Sequence, residues 1–284
     1  MKKVIRLILF AITLPTTSLF AQIAGTLDST FGVYGKVMTD ISPLSIGDNL
    51  EDILLQPDGR IIAVGWFHTS SPTTNYSDLA IVRYMTNGSV DSSFGVNGKV
   101  ICNFSQAGWH GDFIRRAVLQ NDGKIVCTGS TSDTMITNIL LTRILSNGVI
   151  DSAFGSNGSS ILDIDPNSSD EGNSVLIQPD WKILVGAMSS TVGGLVIRYN
   201  PNGIIDSTFG NNGIIHLSQS VRSISLLSNG KVLVAGEYST GVPLWRYFGV
   251  TRIDSTGTID STFGTNGLTF FDHTNVAGPA FLSD

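Results

Sequence analysis

The chain is 284 residues long, with 17 Lys and Arg against 23 Asp and Glu and a formal net charge of −6. An acidic chain without a basic cluster repels phosphate backbones, which argues against nucleic acid as a partner. Beyond the N-terminus, apolar residues come in short β-branched runs broken by Gly, Asn, Asp and Pro, with no helical period and no second membrane-length span. An all-β chain that is not membrane-integral is the expectation.

The first element is an address. Lys2, Lys3 and Arg6 flank an apolar run from Val4 to Leu14, and Ser18-Leu19-Phe20-Ala21 before Gln22 has the form of a secretory cleavage site. The run is interrupted by Thr13, Pro15, Thr16 and Thr17, too early for a membrane span. Residues 1–21 are therefore read as a bacterial signal peptide, and the protein as secreted or held at the cell surface. Cleavage after Ala21 removes three basic residues and no acid, moving the net charge from −6 to about −9.

Five copies of Asp-Ser-x-Phe-Gly-x-x-Gly follow, beginning at Asp28, Asp91, Asp151, Asp206 and Asp260, spaced 63, 60, 55 and 54 residues apart. Self-similarity at that period marks an array of one supersecondary unit. After each closing Gly comes a short strand, in residues 36–40, 99–104, 160–164, 214–217 and 268–271. Next come two apolar runs around a turn: Gln56-Pro57-Asp58-Gly59-Arg60, then Asn121-Asp122-Gly123, Pro179-Asp180-Trp181 and Asn229-Gly230. Such a pattern is a hairpin. Trp181 stands where the sister units have Gly, so the third turn is predicted to differ in geometry. A last strand carries Arg83, Arg143, Arg198 or Arg252, always eight residues before the next Asp. Each unit thus has four short strands and no helix, the format of a propeller blade.

The combination of Gln-Pro-Asp-Gly-(Lys/Arg)-Ile, Arg-Tyr-x-x-Asn-Gly and Asp-Ser-x-Phe-Gly-x-x-Gly is similar to the delta-60 repeat, a β-propeller family of bacterial secreted and surface proteins. The resemblance spans residues 27–272. It implies a fold and a compartment more than an activity, since members of that family mostly have no established one. With each blade begun at its Asp, the predicted units are 27–90, 91–150, 151–205, 206–259 and a partial fifth at 260–284. The array is thus four four-stranded antiparallel blades plus part of another, in an open or truncated ring. The lone fifth strand points to a fragment of a longer array, or to an arc completed by its own ends or by another copy.

In an up-and-down meander the hairpins and the Asp phrases leave from one end of the blades. The remaining connections, whose lengths vary from blade to blade, leave from the other. Loops of varying length are where a scaffold carries binding groups.

Several constellations are weighed for chemistry. The repeated Asp28, Asp91, Asp151, Asp206 and Asp260 with Arg83, Arg143, Arg198 and Arg252 suggest either an anion-binding ring or, more simply, an Asp capping its turn with a local Arg. Phe31, Phe94, Phe154, Phe209 and Phe263 read as plugs between blades. Asp163, Asp165, Asn167, Asp170 and Glu171 place oxygens at alternating positions suited to Ca²⁺. Ser168 and Ser174 stand where such a loop wants Gly and Glu, so a solvated acidic loop is the competing reading. Asp112 and Glu51-Asp52 are weaker sister candidates. Trp66, Trp109, His110, Trp245 and Tyr247 lie in or beside the variable loops, placed to stack on sugar rings or to fold back over blade edges. Cys102 and Cys127 are read into strands one and three of one unit, about 9–10 Å apart. A disulfide needs about 7 Å, so two buried free thiols are expected. No nucleophile elbow, Walker loop, dinucleotide fingerprint or metal spacing of His is present.

The resulting expectation is a secreted, non-catalytic propeller acting as an interaction scaffold for an unknown protein or glycan, without a cofactor. A carbohydrate- or calcium-binding module using the variable loops is the alternative, and a secreted hydrolase the next.

Overall fold

The computed structural model describes residues 25–71, 74–105, 110–132, 136–240 and 245–271. Within them lie sixteen strands. The first sheet unit comprises β1 (Ser45–Leu55), β2 (Ile61–Ser71), β3 (Thr74–Tyr84) and β4 (Lys99–Cys102). The second comprises β5 (His110–Leu119), β6 (Ile125–Ser132), β7 (Asn138–Ile144) and β8 (Ser159–Leu162). The third holds β9 (Asp170–Ile177), β10 (Ile183–Ser189), β11 (Gly193–Tyr199) and β12 (Ile214–Leu217), and the fourth β13 (Ser223–Leu226), β14 (Val232–Thr240), β15 (Trp245–Ile253) and β16 (Leu268–Phe271). Every pairing inside a unit is antiparallel between sequence neighbours. Blades I and II also touch through a short parallel pairing of Tyr76 with His110 and Ser77 with Gly111.

The blades are as expected, but their phase is not. The strand after each closing Gly pairs backward onto the Arg strand, so Lys99 lies opposite Val82 and Leu268 opposite Thr251. The Asp phrase therefore joins strands three and four inside one blade instead of opening the next. The fifth phrase completes blade IV, and the partial unit lies at the other end, in residues 25–44. The strand predicted at residues 36–40 does not form: Lys36 makes isolated bridges to Gly32 and Val33, and among the described residues no strand pairs with 37–40. Hairpins and Asp phrases still share one end of each blade, because the meander is unchanged.

Successive blades bury the core between their faces. Ile62, Val64, Leu79 and Ile81 of blade I pack on Ile114, Ile125, Cys127 and Leu140 of blade II. Val126, Ile139 and Leu141 meet Val185, Leu195 and Ile197, and Leu184 and Val196 meet Val221, Val232 and Val234. Cys102 and Cys127 thus sit in neighbouring blades, on β4 and β6, and not in one unit as expected. Both are buried and unbridged, and burial pushes the Cys102 thiol up to about 12 with Asp112 and Asp78 adding to it.

The Asp phrase binds one blade to the next. Asp206 Oδ1 accepts from the Thr208 amide at 3.1 Å and hydroxyl at 2.7 Å, closing the turn, while Oδ2 takes Arg198 Nε at 2.7 Å. Arg198 Nη1 then donates to the Ser255 carbonyl of blade IV at 2.7 Å, and its guanidinium lies 4.3 Å over the Phe209 ring. Arg83 reaches Ser146 O at 2.8 Å and Arg143 reaches Pro201 O at 2.6 Å in the same way. The phrase Gly adds a second staple: Gly95, Gly155 and Gly210 donate to Asn147, Asn202 and Thr256 of the following blade, and Gly32 to Asn87. Phe94, Phe154 and Phe209 are fully buried against Gly148, Gly203 and Gly257 of that same turn. At Gly257, with φ +92°, an added Cβ would lie 2.5 Å from the Gly210 nitrogen, so only glycine fits.

The third hairpin departs from expectation too. Trp181 keeps the bond pattern of its sisters, with its amide on Gln178 O at 2.9 Å and the Gln178 amide on Lys182 O at 2.8 Å. It does so at φ +68°, so a bulky residue has adopted the left-handed conformation that the short turn imposes.

Two outcomes follow for the staple. Arg198→Leu, which removes the buried partner of Asp206, leaving it Lys182 and Thr208, and frees the Ser255 carbonyl, should destabilise the chain by about 3 kcal/mol. Arg252→Leu should cost less in the same urea titration, because Arg252 is 23% exposed where Arg198 is 7% and grips no following blade among the described residues. Burial alone would raise the Asp206 carboxyl, but the Thr208 hydroxyl, Lys182 and Arg198 outweigh it and hold it well below the carboxylate range. A folded-state value below the unfolded one gives stability that is present above about pH 4 and lost as pH falls toward the folded value. The difference in melting temperature between the native chain and Asp206→Asn should therefore shrink as pH is lowered from 6 to 2.

Candidate functional site

Where the sheets meet, the first strands β1, β5, β9 and β13 pack on one another, and the fourth strands lie at the periphery. Each of the first three carries a bulge at the same distance from its hairpin. Pairing runs Leu50 with Gly65, then Asp52 with Val64, leaving Glu51 as the extra residue. Arg115 is extra between Ile114 and Arg116, and Asn173 between Gly172 and Ser174. In blade IV the Arg222 amide bonds Ala235 O, the residue that Ser223 also faces. A bulge bends its strand and re-aims one side chain. Here it turns Glu51, Arg115, Asn173 and Arg222 toward the junction.

The second strands permit this with glycine. A Cβ on Gly65 would stand 1.9 Å from Asn49 O, on Gly129 1.8 Å from Phe113 O, and on Gly236 2.0 Å from Ser220 O. No side chain fits where the bulged backbone presses in.

Together with Arg116 and Glu171, these four residues line a cleft of about 290 Å³. Arg115 lies between two acids from different blades, Nη1 at 3.5 Å from Glu51 Oε1 and Nη2 at 3.2 Å from Glu171 Oε2. Trp66 Nε1 donates to Glu51 Oε1 at 3.1 Å, and its ring meets Phe113 edge-on at 5.0 Å. Asn173 Nδ2 donates to Val221 O at 3.1 Å, linking blades III and IV. Arg116 Nη1 donates to Arg115 O at 2.7 Å and Glu51 O at 3.3 Å. Arg222 is exposed, 3.7 Å from Glu237 Oε1, while Glu237 Oε2 takes Arg246 at 3.1 Å.

The family model described as "Domain of unknown function (DUF5122) beta-propeller" matches residues 56–94, 120–154, 178–209 and 227–263, half of the chain. The chain belongs to this family. Its four matched segments run from hairpin to Asp phrase, so DUF5122 covers the blade framework, and the residues of the cleft at 51, 115, 173 and 222 fall outside the segments. No curated protein matches. Among solved structures, a protein of unknown function from Dyadobacter fermentans is 13% identical with a TM-score of 0.48, covering 72% of this chain and 59% of its own. An α-L-arabinofuranosidase of Fusarium graminearum gives 11%, 0.43, 77% and 64%, and an arabinanase of Bacillus subtilis 12%, 0.38, 80% and 82%. The chain thus spans less than two thirds of the first two, and likenesses this distant carry no argument about activity.

The residues singled out in the sequence are dispersed. Asp170 is buried and caps the approach to its own blade, Oδ2 accepting from the Ile164 amide at 2.8 Å and Oδ1 from the Ser168 hydroxyl at 2.7 Å. Asp48 and Asp112 do the same for Ile41 and Phe104. Asp165 closes a turn on Asn167, Asp163 is exposed, and Glu171 points into the axial cleft, so the five oxygens expected around Ca²⁺ are not brought together. Among the described residues, no group of three or more His, Cys, Asp or Glu is placed to hold a metal. Trp66 of blade I is held by Glu51 and by Phe113 of blade II, whereas Tyr247 lies 5.5 Å from Phe270 in blade IV, so the two do not share a surface. Trp109 lies outside the described residues. The backbone of His110 opens β5 and that of Trp245 opens β15, in different blades. Arg83, Arg143, Arg198 and Arg252 each pair with their Asp and grip the turns, so they form no open anion ring.

Sequence reasoning missed the cleft. The available signal was a pair of consecutive polar residues seven and six positions before each turn Asp or Asn, Glu51-Asp52, Arg115-Arg116, Asn173-Ser174 and Arg222-Ser223, which breaks the alternation expected of a half-buried strand. Gly129→Ala, which drives a methyl into Phe113 O, should cost about 2–3 kcal/mol and shift Trp66 emission, because Phe113 is the ring against which that indole rests. Thermal unfolding followed by tryptophan fluorescence reads both effects.

Proposed function

We propose that the chain is a secreted, non-catalytic interaction module whose docking point is the axial cleft. The carrying observation is positional. The fold sends one residue per blade to the junction, and these four are an acid, an amide and two arginines, whereas the residues that repeat unchanged serve the staples. A position that the framework holds in place and leaves free to vary is where a scaffold acquires a ligand. The N-terminal segment at 1–21 and the likeness to the delta-60 repeat support secretion or display at the surface. Both cleft carboxylates are already committed, Glu51 to Arg115 and Trp66, and Glu171 to Arg115, which supports binding over hydrolysis.

A second reading has one observation in its favour. Glu51 and Glu171 come from different blades and converge on the axis, as a pair of carboxylates flanking a glycosidic bond would. One experiment separates them: a glycan array with the mature chain in Ca²⁺ and in EDTA, and a polysaccharide panel assayed for new reducing ends. The binding module retains glycans equally in both buffers, loses them in a Glu51→Gln, Asn173→Ala double variant, and releases no reducing ends. Reducing-end release abolished by Glu51→Gln, or binding that survives the double variant, overturns the proposal.

A further inference from the structure

Resting on that reading, we infer that the axial cleft recognises a small carboxylate-bearing ligand, held by Arg116 and Arg222 with the Asn173 amide. The inference comes from where blade II breaks its own repeat. Six positions before the hairpin turn, blade I has Asp52, whose Oδ2 accepts the Ala117 amide of blade II at 3.0 Å. Blade III has Ser174 there, whose hydroxyl accepts the Ile224 amide of blade IV at 3.2 Å. The position is a cap on the next blade's first strand. Blade II has Arg116, and a guanidinium has five donors and no acceptor, so it cannot serve as that cap.

Arg116 is also unmatched in charge. Among the described residues no carboxylate pairs with it, and only carbonyl oxygens receive its Nη1. Arg222 has only the 3.7 Å contact to Glu237, a carboxylate shared with Arg246. Arg115 is occupied on both sides by Glu51 and Glu171. The cleft is thus lined by three guanidiniums and two carboxylates, a positive centre in a chain of net charge −6. A planar guanidinium fork matches a carboxylate in two parallel hydrogen bonds, which is why this lining selects a carboxylate over a spherical anion. A volume of about 290 Å³ lies at the small end of ligand sites, so the occupant is one acidic monosaccharide or one small organic acid.

The test is calorimetric titration of the mature chain with D-galacturonate, citrate and, as the neutral counterpart, D-galactose. The same titrations are run on Arg116→Gln, Arg222→Gln and the double variant. Both arginines are exposed, so the variants should melt with the native chain, and a melting curve verifies it. The acid binds and galactose does not. Each substitution weakens binding about tenfold or more, the usual loss for one charge-assisted hydrogen bond, and added salt weakens it further. Galacturonate binding with citrate silent assigns the ligand to sugar acids, and the reverse to organic acids. Galactose binding as tightly as galacturonate, or the double variant binding the acids unchanged, overturns the inference while leaving an axial docking site intact. Failure of all three ligands, together with no glycan whose retention depends on Glu51 and Asn173, overturns both.

Discussion

One guanidinium per blade carries the architecture. Arg198 is nearly inaccessible to water, and a cation in that position is tolerable only if its donors are answered. Asp206 and Thr208 from its own blade answer some of them, and the Phe209 ring accepts its face, but Nη1 is satisfied by a carbonyl of the following blade. A blade therefore finishes its own hydrogen bonding only when its neighbour is docked. This accounts for the fixed eight-residue spacing from Arg to Asp and the seven from Asp to closing Gly. An insertion in either would carry the guanidinium away from the carboxylate or the turn away from the next blade.

The same staple sets the distance between blades near the Asp phrases, and the inner edge has to accommodate that distance. First strands converge there, and each meets its neighbour along a surface too narrow for a regular ladder of side chains. The bulges at Glu51, Arg115 and Asn173 take up the excess by adding one residue and tightening the twist. Gly65 and Gly129 opposite them absorb the displaced backbone. The polar cleft thus forms where twisted sheets pack side by side, and its residues add their own bridges between blades, Arg115 to Glu51 and Glu171 and Asn173 to Val221. Asp52 and Ser174, one residue along, remain structural, since each closes an amide of the next blade.

Much of the framework was legible in the sequence because the chemistry that builds it is local. An Asp accepting from the residue two ahead, a Gly at positive φ and an apolar run on either side of a turn all declare themselves within a few residues, and repetition made them unmistakable. The phase of the blade was not. Whether the strand after Gly98 belongs with Arg83 before it or with Arg115 after it depends on pairing across similar distances on the two sides. The fixed spacing on the first side, against variable spacing after the strand, was the clue to it. The axial residues were hidden for a different reason. In a regular strand Glu51 and Asp52 point to opposite faces and neither is remarkable, and only the bulge sends Glu51 to the axis and leaves Asp52 as a cap. Aromatic content left two readings open. Trp66 was read either as a sugar-stacking surface or as folding back over a blade edge; its indole N–H donates to Glu51 and its ring meets Phe113 of the next blade, the second arrangement.

Two kinds of departure from the repeat can now be told apart by what surrounds them. Trp181 replaces a turn glycine and is forced to φ +68°, but its hydrogen bonds are those of its sisters, so the change strains the framework without altering what the framework does. Arg116 replaces a cap and alters it completely. Where Asp52 and Ser174 accept a neighbour's amide, Arg116 offers only donors, and it places a positive charge at the one point where residues from all four blades meet. In a chain whose remaining charge is predominantly negative, the potential at that point is opposite in sign to most of the surface. The net negative charge that disfavours polyanions such as nucleic acid therefore does not extend to the axis, where the guanidiniums outnumber the carboxylates.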